Sequence, residues 1–150
     1  MTLRAIDTDP ARSALMKHIR RERTEPEDAV AEILRELGIR MRRNVRSLPG
    51  SPDFANKRRR IAVFVHGCFW HGHIDCDKAR IPRHNRRFWT EKFDANRARD
   101  RVKERTLRKA GYRVVVIWQC AISDSATRRR LMRMIDRSPL AAERKPRSAV

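Results

Sequence analysis

The stretch VFVHGCFWHGHIDCDK (63–78) decides how this chain is read. An apolar, β-branched run, Ile61–Val65, reads as a buried strand. Straight after it, three histidines and two cysteines fall between positions 66 and 76. Such crowding points to metal binding or proton transfer at the end of one strand. An irregular loop of about 18 residues, running to about Arg83, also needs something to hold it together.

The third and last cysteine is Cys120, just past YRVVVIW (112–118). That second apolar run is too continuous for a two-faced sheet, so it reads as a central strand. A helix between the two strands makes them parallel, and both ends then leave the same sheet edge. All three cysteines converge there. With one histidine they form a closed tetrahedral Cys₃His set, the composition of a structural zinc site. Cys68, His73, Cys76 and Cys120 are the expected ligands, with His71 the competitor of His73. An odd cysteine count argues against a disulfide framework.

The rest of the chain is arranged around these strands. Residues 1–23 form a basic leader with a short helix from Ala11 to Arg21. Ala29, Val30, Ile33, Leu34 and Leu37 follow the helical period, Thr24-x-x-Glu27 reads as a capping box, and Gly38 stops the helix. Ile39–Val45 reads as a basic, partly exposed strand. SLPGSPDF (47–54) is a turn leading into a short strand at Asp53–Ala55. Asn85 is placed to cap a long helix, Arg86 to Lys109, with Phe88, Trp89, Phe93, Asn96, Asp100 and Leu107 on one face. Ser123 or Asp124 caps a last helix containing Leu131, Met132 and Ile135. The domain spans 24–137, and 138–150 read as a disordered basic tail. The class is α/β: a small mixed sheet flanked by helices on both faces, with a zinc loop at one edge.

Charge narrows the partner. The 150 residues carry 37 Lys and Arg against 18 Asp and Glu, a formal net charge of +19. Nucleic acid is the first polyanion to consider and an acidic membrane surface the second. No apolar stretch approaches the roughly 20 residues that cross a bilayer, and the N-terminus lacks a signal-peptide core. The expectation is a soluble, cytoplasmic, monomeric protein.

Beyond the cysteines, the ionisable groups to place are His66, His71, Asp53, Glu27 and Asp100. Asp53 can give a hard cation one carboxylate or accept backbone N–H bonds in its turn. Asp100 lies on the inward face of the long helix, where a carboxylate needs a partner. Arg99, Arg101 or a histidine are the choices. Glu27 is accounted for by the capping box. Phe69, Trp70 and Trp89 either cover the metal loop or stack on bases.

SLPGSPDF, VFVHGCFWHGH, RFWTEKFDANRARD and GYRVVVIWQCA, in this order, resemble the very short patch repair endonucleases of bacteria, from about Arg12 to Ile122. The resemblance implies a restriction-endonuclease-like fold. It also implies a Mg²⁺-dependent nick in one strand of double-stranded DNA beside a T·G mismatch, a structural Zn²⁺, and a place beside the nucleoid. Mismatch-repair proteins are the implied partners. It further implies that Asp53 and the carbonyl of Val65 hold Mg²⁺, that His71 is the general base oriented by Asp100, and that His66 assists at the scissile phosphate. Glu27 matches an N-terminal active-site glutamate. Cys68, His73, Cys76 and Cys120 match the zinc ligands. Phe69, Trp70 and Trp89 match aromatics that wedge into the duplex, and Met16 matches an apolar contact. Two departures stand out: Ile74 and Asp75 separate His73 from Cys76 where one residue is usual, and Val65 replaces a threonine. The competing functions are a restriction or phage-defence nickase with another trigger, and a zinc-stapled DNA-binding module without catalysis.

Overall fold

The computed structural model describes residues 23–137. The helix expected in the leader, Met16 and the basic tail therefore lie outside the described residues. Three α-helices and four strands follow in the order α1 (Glu25–Glu36), β1 (Arg42–Arg43), β2 (Phe54–Asn56), β3 (Ile61–His66), α2 (Arg86–Lys109), β4 (Arg113–Trp118) and α3 (Ser125–Asp136). Short 3₁₀ turns follow Cys76 and Trp118. The described strands form one mixed sheet, ordered β1-β2-β3-β4, with β3 antiparallel to β2 and parallel to β4.

Alternation along β3 explains why every one of its residues is buried. Ile61, Val63 and Val65 face a cluster with Val30, Ile33 and Leu34 of α1, Val115 and Ile117 of β4, and Leu131 and Met134 of α3. Ala62 and Phe64 face the opposite way, against Leu107 of α2 with Val114 and Val116 beside it. A strand covered on both faces has no room for a polar alternate. Burying each such aliphatic side chain stabilises the fold by about 1.5–3 kcal/mol. The helices thus lie on both faces of a four-strand mixed sheet, as the sequence leads one to expect.

Several local expectations are corrected. The run 112–118 is an edge strand among the described residues, pairing only with β3. Its burial comes from helices above and below rather than from a second neighbour, and the Arg130 guanidinium donates to its Val116 carbonyl at 3.1 Å. The strand expected over Ile39–Val45 shrinks to Arg42–Arg43, and the short strand shifts by one residue to Phe54–Asn56.

At α1 the Thr24 side chain makes no capping bond. Glu27 instead accepts from the Arg23 amide at 2.8 Å and from the Thr24 hydroxyl at 3.1 Å, so the reciprocal capping box does not form. Gly38 ends this helix with φ +68°, a conformation that side chains resist. Asn85 precedes α2 in the left-handed region with no side-chain cap. In α3 it is Met134 that enters the core, while Met132 is exposed.

Candidate active site and metal cluster

Both functional clusters sit where β3 and β4 end. The pairs run from Ile61↔Arg113 to His66↔Trp118, so the two strands finish level. The chain then turns out of the sheet at Gly67 on one side and at Gln119 on the other. This topology carries Cys120 to the Cys68 loop. The ligating atoms of Cys68, His73, Cys76 and Cys120 all lie within 4.8 Å of one another. The Cys120 amide donates to the Cys68 sulfur at 3.4 Å, and Cys120 Sγ lies 3.4 Å from His73 Nδ1. The His73 amide also donates to the Cys68 carbonyl at 2.9 Å, which winds the loop tightly enough to return the ring. Desolvation and then the neighbouring sulfurs push the Cys120 thiol up to about 11, a crowding that a cation among the thiols would relieve. This Cys/His cluster can hold a metal ion; His71, the competing ligand, is not part of it.

His71 belongs to the second group. Its Nδ1 lies 2.6 Å from Asp100 Oδ2, and its ring stacks on His66 with centroids 4.0 Å apart and planes 3° from parallel. Of the three partners open to Asp100, the histidine is the one found; Arg99 bonds Asn96 instead. Burial raises the Asp100 carboxyl, but the bond from His71 and the charges of His71 and His66 outweigh it, and the group lies below its usual value. His66 is 4% exposed, and its Nδ1 has no hydrogen-bond partner among the described residues. Burial first, then the charge of His71, push it down to about 4, so His66 is neutral at pH 7. Ligand atoms of His66, His71 and Asp100 also lie within 4.8 Å of one another. Face-to-face imidazoles aim their lone pairs side by side rather than at one point, so this arrangement suits proton transfer better than one shared ion.

Asp53 enters from the hairpin side. Bonds from the Asn44 amide to its carbonyl and from the Val45 amide to the Pro52 carbonyl hold the turn before it. The β2–β3 register stops at Phe54↔Val63, so Val65 lies beyond it. The Val65 N–H is taken up by Asp53 Oδ2 at 2.7 Å. Desolvation pushes the Asp53 carboxyl up to about 6, despite that bond; Glu27 adds to the rise, and His71 and Lys103 oppose it. Glu27 is itself buried at 5% exposure, on the first turn of α1.

The aromatics form one cluster over the loop. Phe69 packs edge-on against Trp70, Trp89 and Phe93, each at 5.2 Å. Lys92 Nζ lies 5.4 Å from the Trp89 ring centre and 5.9 Å from that of Trp70. Helix α2 pins the loop from above: Asn96 donates to the Trp70 carbonyl at 2.7 Å and Arg97 to the Gly72 carbonyl at 2.8 Å. Gly72 has φ +57°, and a Cβ there would meet Phe93 Cβ at 2.8 Å, so only glycine fits between His71 and His73.

Three groups were not singled out from sequence. Lys103, one turn beyond Asp100, acts on Asp53, His66 and Asp100 through its charge. Asn96 was placed on the inward face but given no task. Trp118, read as the end of a core strand, touches both clusters. An aromatic immediately before the cysteine-bearing turn was the available signal.

Comparison with known proteins fits this geometry. The sequence profile of the family described as DNA mismatch endonuclease Vsr matches residues 5–78. The chain is 39% identical over 111 residues to the DNA mismatch endonuclease Vsr of Escherichia coli, covering 74% of this chain and 70% of that protein. This chain belongs to the Vsr family. It is also 44% identical over 128 residues to the type II nicking enzyme V.XorIIP of Xanthomonas oryzae pv. oryzae, covering 85% of this chain and 93% of that protein. A similar enzyme of Neisseria meningitidis serogroup A, V.NmeAIP, is 40% identical over 131 residues, covering 87% of this chain and 93% of that protein. As a Vsr-family protein the chain is a DNA endonuclease, which sets aside a DNA-binding module without catalysis. No helix among the described residues is long and apolar enough to cross a membrane.

Proposed function

We propose that this Vsr-family endonuclease nicks one strand of double-stranded DNA beside a T·G mismatch in a Mg²⁺-dependent hydrolysis. The observation that carries the reading is the 2.6 Å contact between His71 Nδ1 and Asp100 Oδ2 at the sheet end that also bears Asp53. Holding Nδ1 leaves Nε2 free, the state a general base needs.

In this reading His71 Nε2 takes the proton of the water that attacks phosphorus, and Asp100 stabilises the imidazolium that results. His66 stands beside the scissile phosphate. Asp53 and the Val65 carbonyl would hold Mg²⁺, with Glu27 nearby. The donor set fits: hard oxygens, one from a buried carboxylate whose raised pKa a bound cation would lower. Held there, Mg²⁺ would supply positive charge against that developing on the phosphate oxygens and the leaving group. The products are a 3′-hydroxyl and a 5′-phosphate. Cys68, His73, Cys76 and Cys120 hold a structural Zn²⁺, a fit supported by four soft donors converging within 4.8 Å. Phe69, Trp70 and Trp89 wedge into the duplex, and Met16 adds an apolar contact.

A second reading is favoured by the relatives called type II nicking enzymes: nicking with a trigger other than a T·G pair. One experiment separates the two. Nicking is measured on duplexes carrying each mismatch and on fully paired DNA, with and without Mg²⁺, beside Asp53→Ala as control. The expected result is a Mg²⁺-dependent nick confined to the T·G duplex and lost in the variant. Equal nicking of paired DNA would replace the repair reading with the second.

A further inference from the structure

We infer that Trp118 is a positioning residue, locking the stacked His66–His71 pair to the Cys/His metal cluster. The inference deepens the proposed function and rests on its assignment of His66 and His71 to the chemistry.

The argument begins with register. His66 and Trp118 are paired neighbours at the last rung of β3 and β4. Both continue the parity of Phe64 and Val116, so both face α2 rather than α1. The Trp118 ring meets His66 edge-on with centroids 5.1 Å apart and planes at 76°. It meets His71 in the same manner at 6.4 Å and 78°. Its flat face is taken by His73, at 4.0 Å and only 4° from parallel. One indole is therefore stacked on a member of the soft cluster and set perpendicular to both imidazoles of the other group.

The contact is rigid at both ends. Trp118 is the last residue of β4, and Cys120, two residues on, is itself a member of the cluster. Binding of a cation fixes the His73 ring, and the ring fixes the indole plane through close stacking. The indole then limits how far His66 and His71 can slide or tilt. His71 has one further restraint, Asp100 at Nδ1. His66 Nδ1 has no hydrogen-bond partner among the described residues, so packing against Trp118, Phe64 and His71 sets its orientation. A hydrogen bond sets direction in one plane; the indole supplies the missing restraint.

The test uses full-length protein with its zinc and compares Trp118→Leu with Trp118→Phe. Leucine keeps bulk without a plane to stack on; phenylalanine keeps the plane. The expected result for leucine is a fall in single-turnover nicking at saturating DNA of about 10²-fold, with phenylalanine restoring it to within roughly threefold. DNA affinity and one zinc per chain are retained in both. The imidazole proton resonances of His66 and His71 move in the leucine variant and stay near wild type in the phenylalanine variant. Wild-type nicking by the leucine variant, no rescue by phenylalanine, or unmoved resonances would overturn the inference. Wild-type protein gives a check independent of any variant: Overhauser contacts from the indole of Trp118 to the rings of His66 and His73, whose absence would equally overturn it. If the wild-type chain nicks no duplex, the functional reading fails, while the resonances still decide whether Trp118 orients the pair.

Discussion

The two clusters at the end of β3 are built in opposite ways. The Cys/His cluster draws three of its members from one short loop, Cys68, His73 and Cys76, and borrows only Cys120. The polar group draws Asp53 from the hairpin, His66 from β3, His71 from the loop and Asp100 from α2. Local assembly tolerates motion of the rest of the fold; assembly from four places does not. The soft cluster therefore serves as the fixed point, and the polar group is the part that depends on everything else being in place.

Breaking the dispersed group gives the largest effect. Asp100→Asn keeps the size of the side chain but removes the charge facing His71. Nicking should fall by about 10²–10⁴-fold, with DNA binding and melting temperature nearly unchanged. Quantified single-turnover assays with binding curves check this, and a loss of affinity in step with rate would contradict the division drawn here.

Breaking the local cluster should act on the whole fold instead. Cys120→Ala removes the only member from outside the loop, and metal affinity in such a site is folding energy. A loss of about 3 kcal/mol, roughly 10 °C in melting temperature, is expected. Calorimetry with zinc analysis checks it, and a variant that melts like wild type with one zinc bound would remove Cys120 from the ligand set.

The smallest effect sharpens the comparison by sign. Asp53 has its carboxyl raised from 3.8 to about 6 by burial, so ionisation is disfavoured in the folded state. For a raised acid, stability is fullest below pH 4, declines as pH rises towards 6, and is flat above. Asp53→Asn, without added Mg²⁺, should thus be more stable than wild type at pH 7.5 by about 3 kcal/mol, with the difference vanishing near pH 4. Denaturation at the two pH values tests it; a variant less stable than wild type at pH 7.5 would mean the carboxylate is held by interactions stronger than its burial.

Legibility in the sequence followed the same division. Cys68, His73 and Cys76 announce themselves because their spacing is local, and Cys120 is recoverable because a parallel pair joined by a helix must end on one edge. Asp100 was legible from the residues alone as a carboxylate on an inward helical face; its partner, one of three groups within sequence reach, was pointed out only by the family resemblance. Trp118 was hidden by its own strand: YRVVVIW reads as core, and only the register reveals that its last side chain stands between two sites. The same run was read as central because continuous apolarity reports coverage of both faces. It says nothing of how many strands lie alongside, and Arg130 occupies the Val116 carbonyl that a neighbour would have used. Met132 and Met134 differ by two positions on α3, which turns one to solvent and the other inward; the period alone did not choose between them.

In the loop, members of the two clusters take turns along the chain: His66, Cys68, His71, His73. Adding or deleting a residue anywhere among them would hand each role to the wrong side chain, so that span has a locked length. Just beyond it, Ile74 is 64% exposed and Asp75 takes φ +55°. That turn bulges outward before Cys76 comes back. Changes in loop length can therefore be absorbed at 74–75, where growth disturbs neither set of rings.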